Sequence, residues 1–254
     1  MKYYAQLVAL GCFKRKDVVE MTGSAEAANS LIYSYKKRGL IDSVRRDLFV
    51  TISIETMQPI PSRYAVASNL ADSAYVSHHS AFEYYGIANQ VYYEIYVAAV
   101  SPFRAFEYDG VIYRRVSPGL AEGVETKRDG VRVTDMERTV LDGINDFEKI
   151  AGLEELLRCL ELAPRLNEDK LLSYLAAYNS GFLYQKTGYT LGYFKEQLGL
   201  SDSFFTTCCE NTPKSKRYFY HGVQYESPFL DRKWRLYVPK DLMSFTRKGD
   251  VYIE

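Results

Sequence analysis

The stretch that most constrains this fold is residues 13–50, FKRKDVVEMTGSAEAANSLIYSYKKRGLIDSVRRDLFV. Residues 17–21 read as a short helix with Val18, Val19 and Met21 available for packing. Gly23 admits a positive φ, and the Ser24 hydroxyl can cap the helix that follows. Over residues 25–37 the apolar positions Ala28, Leu31, Ile32 and Tyr35 recur at spacings of three and four. The same winding turns Glu26, Asn29, Ser30, Tyr33 and Lys37 outward. Gly39 is expected just past the helix end. Two short strands follow, over 40–44 and 48–51, with Arg45, Arg46 and Asp47 at the tip between them. Helix, turn, helix and hairpin in this order predict a winged helix-turn-helix. Its second helix would enter a DNA groove, and the hairpin would be the wing.

Charge placement agrees with that reading. Residues 1–54 hold nine basic and five acidic side chains, a net +4, in a chain whose formal charge is zero. A basic head on an acidic body suits phosphate binding by one end. Lys36, Lys37, Arg45 and Arg46 are the expected phosphate contacts, and Asn29, Ser30 and Tyr33 the expected readers of base edges. Lys14, Arg15 and Ser24 complete the predicted surface. A solvated face rich in Lys and Arg is the bland alternative; the order of the elements favours DNA.

The expected organisation is α+β: a head at 1–54, a linker at 55–62 and an α+β domain at 63–200 with an antiparallel or mixed sheet. A helical region lies towards the C-terminal side, and a hairpin and strand extension packed on the domain occupies 201–254. Pro59 and Pro61 remove amide donors and disfavour helix before them, which marks the linker. A body of about 190 residues is large enough to fold without the head. Asp109-Gly110 and Asp129-Gly130 signal two hairpins, the first of type I′. Thr134 with Glu137 reads as a capping box opening a helix. Leu153, Leu156, Leu157 and Leu160 form one helix stripe, and Asn167 caps the next. The start, MKYYAQLVALGCF, has a polar Gln6 inside its apolar run and fits a first helix better than a leader. No run approaches the roughly 20 apolar residues of a membrane span, so a cytoplasmic protein is expected.

Candidate chemistry elsewhere is thin. Cys12, Cys159, Cys208 and Cys209 form no C-x-x-C pair, which argues against a structural zinc and for buried, reduced thiols. His78 and His79 are neighbours and point about 100° apart on a helix, so a structural hydrogen bond outweighs metal binding. Asp135, Glu137 and Asp142 suggest a magnesium-dependent nuclease, but the helix N-terminus explains the first two. No Gly-rich phosphate loop is present, and no cofactor or metal is expected. Near the C-terminus Arg217, Arg232, Lys233, Trp234 and Arg235 form a basic and aromatic cluster. A protein interface is the first reading of it and nucleic acid the second.

Three stretches together resemble AbiEi-type antitoxins of bacterial type IV toxin–antitoxin systems, which abort phage infection. They are the head ending in Arg45-Arg46-Asp47-Leu48-Phe49-Val50, the segment YVSHHSAFEYYGI at 75–87, and GVRVTDMERTVLDGI at 130–144. The resemblance runs through nearly the whole chain and departs at Asp47, where the family commonly has glycine in the wing turn. It implies a non-enzymatic repressor of its own operon that binds double-stranded DNA at repeated half-sites. It also implies an antitoxin that counters a nucleotidyltransferase-like toxin without necessarily forming a stable complex with it. Stand-alone regulators of the same family are the alternative.

Overall fold

The computed structural model describes residues 2–225 and 227–247. The chain is a mixed α+β protein built from two units, each assembled from three separate segments. The first comprises Met1–Val76, Tyr93–Ser117 and Thr126–Val133; the second comprises Ser77–Tyr92, Pro118–Glu125 and Thr134–Glu254.

The first unit opens with α1 (Tyr4–Leu10), β1 (Cys12–Phe13), α2 (Arg15–Thr22), α3 (Ala25–Lys37), β2 (Ile41–Arg45) and β3 (Leu48–Thr51). The strands form a small sheet in the order β1-β3-β2. Leu7, Phe13, Val18, Ala28, Tyr35, Leu40 and Ile41 make its core, with Leu31 and Ile32 partly buried against it. The segment expected as a linker instead doubles back. Ile60 lies between the two prolines, and its amide donates to the Thr51 carbonyl at 2.9 Å; the Ser53 amide donates to Gln58 O at 2.9 Å. Prolines at 59 and 61 remove their own donors but leave that one free to pair. The first unit therefore continues into α4 (Arg63–Asn69) and β4 (Tyr75–Val76).

Chain returning later adds β5 (Glu94–Ala98), β6 (Phe106–Tyr108), β7 (Val111–Val116) and β9 (Arg132–Thr134), while β8 (Val124–Thr126) reaches the unit only at Thr126. The mixed six-stranded sheet runs β6-β7-β5-β4-β9-β8, with β5 parallel to β7 and antiparallel to β4. Asp109 and Gly110 both have positive φ, 52° and 72°, as a type I′ turn requires. Arg132 closes off the end of α4, donating through Nη2 to Ala71 O at 2.9 Å. Lys14 pairs with Asp72 at 2.6 Å. Arg45, on the hairpin of the head, lies 5.4 Å from the Phe103 ring and 5.6 Å from the Phe106 ring. Head and sheet are thus one unit, and a cut near Pro61 would fall inside that unit rather than between two bodies.

The second unit is mostly helical: α5 (His79–Tyr84), α6 (Met136–Asn145), α7 (Leu153–Leu162), α8 (Glu168–Tyr178), α9 (Gly181–Gly192), α10 (Lys195–Leu198) and α11 (Asp202–Glu210). The strands β10 (Arg217–Tyr218), β11 (Phe229–Asp231) and β12 (Leu236–Val238) follow, and then α12 (Ser244–Arg247). The leucine stripe of α7 is buried, and Asn167 caps α8 by accepting from the Lys170 amide at 3.1 Å. The cap of α6 falls one residue later than the sequence suggests. Asp135 Oδ1 accepts from the Arg138 amide at 2.9 Å, because Thr134 still belongs to β9. The hairpin expected around His221-Gly222 is a 3-10 turn over His221–Tyr225, and β10 pairs in parallel with β12.

Trp234 is 5% exposed, and Gly188 on α9 makes room for it; a Cβ there would stand 2.1 Å from the indole. Gln185 Nε2 donates to the Trp234 carbonyl at 2.9 Å and holds the same segment from one turn away. Trp234→Ala is expected to cost about 3–5 kcal/mol, the range for a large buried aromatic. Urea unfolding of the full chain measures it, and a loss under about 1 kcal/mol would place the indole outside the core.

Candidate nucleic-acid interface

The candidate surface is built on the α2–α3 corner. Asp17 accepts from the Lys14 amide at 2.6 Å, which supports the start of α2. Gly23 takes φ 79°, and Ser24 Oγ accepts from the Ala27 amide at 3.1 Å to open α3. At the other end the Leu40 amide reaches Tyr35 O at 2.9 Å and Gly39 takes φ 67°, so the chain leaves α3 straight into β2.

Because Ala28 and Tyr35 are buried, the opposite side of α3 meets solvent. Asn29, Ser30, Tyr33, Lys36 and Lys37 are all exposed, Tyr33 to 70%. Two contacts tie this face to its surroundings. Arg15 Nε donates to Asn29 Oδ1 at 2.7 Å, so the asparagine carbonyl is held. Lys36 Nζ donates to Ser43 Oγ at 2.8 Å and fixes the hairpin against the helix. At the hairpin tip Asp47 adopts φ 60°, the conformation for which glycine is the usual choice, and its Oδ1 accepts from the Arg15 amide at 3.1 Å. That bond offsets the left-handed backbone at Asp47.

Arg15, Lys16, Arg46 and Asp47 line a groove of about 810 Å³ with Val19, Glu20, Ala25 and Phe49. Arg46 is exposed there, whereas Arg45 is half-buried against its two phenylalanines and Lys14 is engaged by Asp72. Ser24 is occupied as a cap. Of the ten expected contacts, seven therefore share one exposed surface: Arg15, Asn29, Ser30, Tyr33, Lys36, Lys37 and Arg46. Lys16, on the groove wall, was not singled out from the sequence, although its place in the Lys14-Arg15-Lys16 run marks it.

Within the C-terminal cluster Trp234 is core and offers no ring for stacking. Arg235 donates to Thr212 Oγ1 at 2.8 Å and to Pro213 O at 3.2 Å. Arg217, Arg232 and Lys233 remain exposed. Beside them Tyr218 stacks on Tyr237 with ring centroids 4.9 Å apart.

The three carboxylates weighed for nuclease chemistry are all engaged, and Asp135 and Glu137 share Lys170. Asp135 caps α6 and accepts from Tyr174 at 2.7 Å and Lys170 at 2.9 Å. Asp142 accepts from Arg138 Nε at 2.9 Å and from the Tyr178 hydroxyl. Glu137 accepts from the Asn167 amide at 2.8 Å. Among the described residues no group of three or more His, Cys, Asp or Glu side chains is placed to hold a metal ion. The four cysteines are free; burial pushes the Cys12 and Cys208 thiols up to about 12. No described helix is long and apolar enough to cross a membrane.

Of the two neighbouring histidines, His79 is buried, 3.1 Å from Glu155 and 3.5 Å from Glu83. Ser77 does not cap α5; its hydroxyl pairs with His78 Nδ1 at 2.9 Å, and His78 occupies the cap position. Burial alone would raise the Glu155 carboxyl. The His79 ring and the Gln90 and Asn89 donors more than offset that and hold it below its ordinary value. A depressed carboxyl contributes stability above its unfolded value and loses it as pH falls through the folded one. Glu155→Gln should therefore destabilise the chain by about 1–3 kcal/mol at pH 7, with the gap from wild type closing below about pH 4. Urea midpoints across that range test this, and a gap constant from pH 7 to pH 3 would contradict it.

No family model matches the sequence, and no curated protein does. The crystal structure of the RV2827C protein from Mycobacterium tuberculosis is similar to this chain, with a TM-score of 0.60 and 11% sequence identity. The match covers 98% of this chain and 95% of that one. At that identity the likeness is one of fold.

Proposed function

We propose that this chain is a DNA-binding transcriptional repressor whose residues 1–54 act as a winged helix-turn-helix. We further propose that it is the antitoxin of a type IV toxin–antitoxin system, opposing a nucleotidyltransferase-like toxin and binding rather than catalysing. The observation that carries the DNA reading is the exposed polar face of α3, bordered by a groove that Arg15 and the hairpin-tip Arg46 line together. Lys36, Lys37 and Arg46 meet phosphates, while Asn29, Ser30 and Tyr33 reach base edges. Double-stranded operator DNA with repeated half-sites is the partner. The antitoxin part rests on the resemblance of residues 75–87 and 130–144 to AbiEi-type antitoxins, and the second unit offers a body large enough for a second task.

Point substitutions test both halves in the full chain. Arg46→Ala should weaken binding to promoter and unrelated duplexes alike and reduce the salt slope of log K by about one. Asn29→Ala should cost about 1–3 kcal/mol on the operator alone. Fluorescence anisotropy against salt reads both, and an Arg46→Ala protein with unchanged affinity and slope would remove the hairpin tip from the interface. Co-expressed with the neighbouring toxin from a foreign promoter, a double variant carrying Asn29→Ala and Arg46→Ala should still protect cells while failing to repress. Loss of protection by a folded double variant would tie antitoxicity to DNA binding.

A further inference from the structure

A cavity in the second unit has a buried cation on its wall. Lys186, on α9, is 5% exposed and lines a pocket of about 230 Å³ with Asp146, Phe147, Phe182, Phe219 and His221. Its ammonium lies 4.9 Å from the Phe147 ring, 5.7 Å from Phe182 and 5.9 Å from Phe219. It donates one hydrogen bond, to Asn145 O at 3.0 Å. Its other two N–H groups have no oxygen or nitrogen partner among the described residues. A buried ammonium is costly unless its charge and its donors are met. Three ring faces supply part of that requirement, but a ring face leaves the donors directed at space rather than at lone pairs.

The surrounding charges narrow the ligand. Asp146 is hydrogen-bonded to Lys149 and also acts on Lys186 through its charge, so it offsets part of the ammonium's charge without accepting from its remaining donors. Glu148 is exposed and also lines the cavity. Two carboxylates oppose a multiply charged ion such as phosphate. Arg217 lies over the Phe182 ring at 5.1 Å and has no carboxylate partner among the described residues, which favours some negative charge. A single negative charge on a flat apolar body meets all of these conditions. The volume is below the usual range of drug-sized sites, so the ligand is small.

We infer that this cavity is a binding site for a small aromatic monocarboxylate, whose carboxylate accepts from Lys186 while its ring packs among Phe147, Phe182 and Phe219. The inference is independent of DNA binding. Burial also lowers the ammonium to about 8, so Lys186 is an ammonium that an anion would stabilise.

Benzoate is the probe, with inorganic phosphate as the second arm, titrated calorimetrically into the full chain. Saturable one-to-one binding of benzoate is expected, at least tenfold weaker in Lys186→Met, which keeps the stem and removes the charge. On the wild-type protein, intermolecular NOEs should join benzoate ring protons to those of Phe147, Phe182 and Phe219. No saturable benzoate binding, equal affinity in a folded Lys186→Met, or NOEs to other rings would each overturn the assignment. Phosphate binding without benzoate binding would overturn the ligand class.

Discussion

The burial of Ala28 and Tyr35 against Leu7, Phe13 and Val18 decides which side of α3 faces water. A helix has one rotational setting once its apolar stripe is fixed, so the polar face follows from packing alone. Everything proposed for the head depends on that setting. With Ala28 inside, Asn29, Ser30 and Tyr33 lie outside; with Tyr35 inside, Lys36 and Lys37 flank the open face. The Lys36–Ser43 bond then keeps the hairpin alongside, and the Asp47–Arg15 bond sets the position of its tip. A substitution that swelled residue 28 would rotate or lift the helix and move every candidate contact together.

Features governed by neighbours in sequence were legible before any coordinates. The bounds of α3, the Ser24 cap, Gly39 past the helix end, the Asp109-Gly110 turn and the leucine stripe of α7 all follow from local rules. What was not legible depends on distant chain. The segment 55–62 read as a linker because its prolines are visible, whereas the bond from Ile60 to Thr51 is not. The C-terminal hairpin was expected from His221-Gly222, but β10 finds its parallel partner further along the chain in β12, Arg217 opposite Leu236 and Tyr218 opposite Tyr237. Trp234 looked like a surface aromatic among basic residues until Gly188 supplied its slot. Lys186 gave no signal at all: in LYQKTGY it reads as an ordinary helix lysine, and only the fold surrounds it with rings.

The second unit spends much of its interior on polar groups. Arg138, 1% exposed, donates to Asp142, to Leu120 O at 3.2 Å and to Glu122 O at 2.8 Å, stitching the 118–125 segment to α6. Gly123 sits against it, where a Cβ would meet Arg138 Cβ at 2.9 Å. Such networks are destabilising when broken and specify one arrangement when complete. They explain why Asp135 and Asp142, read as candidate catalysts, are better understood as the partners that keep a buried arginine and two tyrosines satisfied.

The claim that α3 is the DNA-reading element is tested most directly by mapping where a duplex touches the full chain. Backbone and side-chain NMR shifts should be followed as a short duplex is added at low salt. The largest changes are expected at Asn29, Ser30, Tyr33, Lys37 and Arg46. Changes absent there and concentrated at Arg217, Arg232 and Lys233 would contradict it.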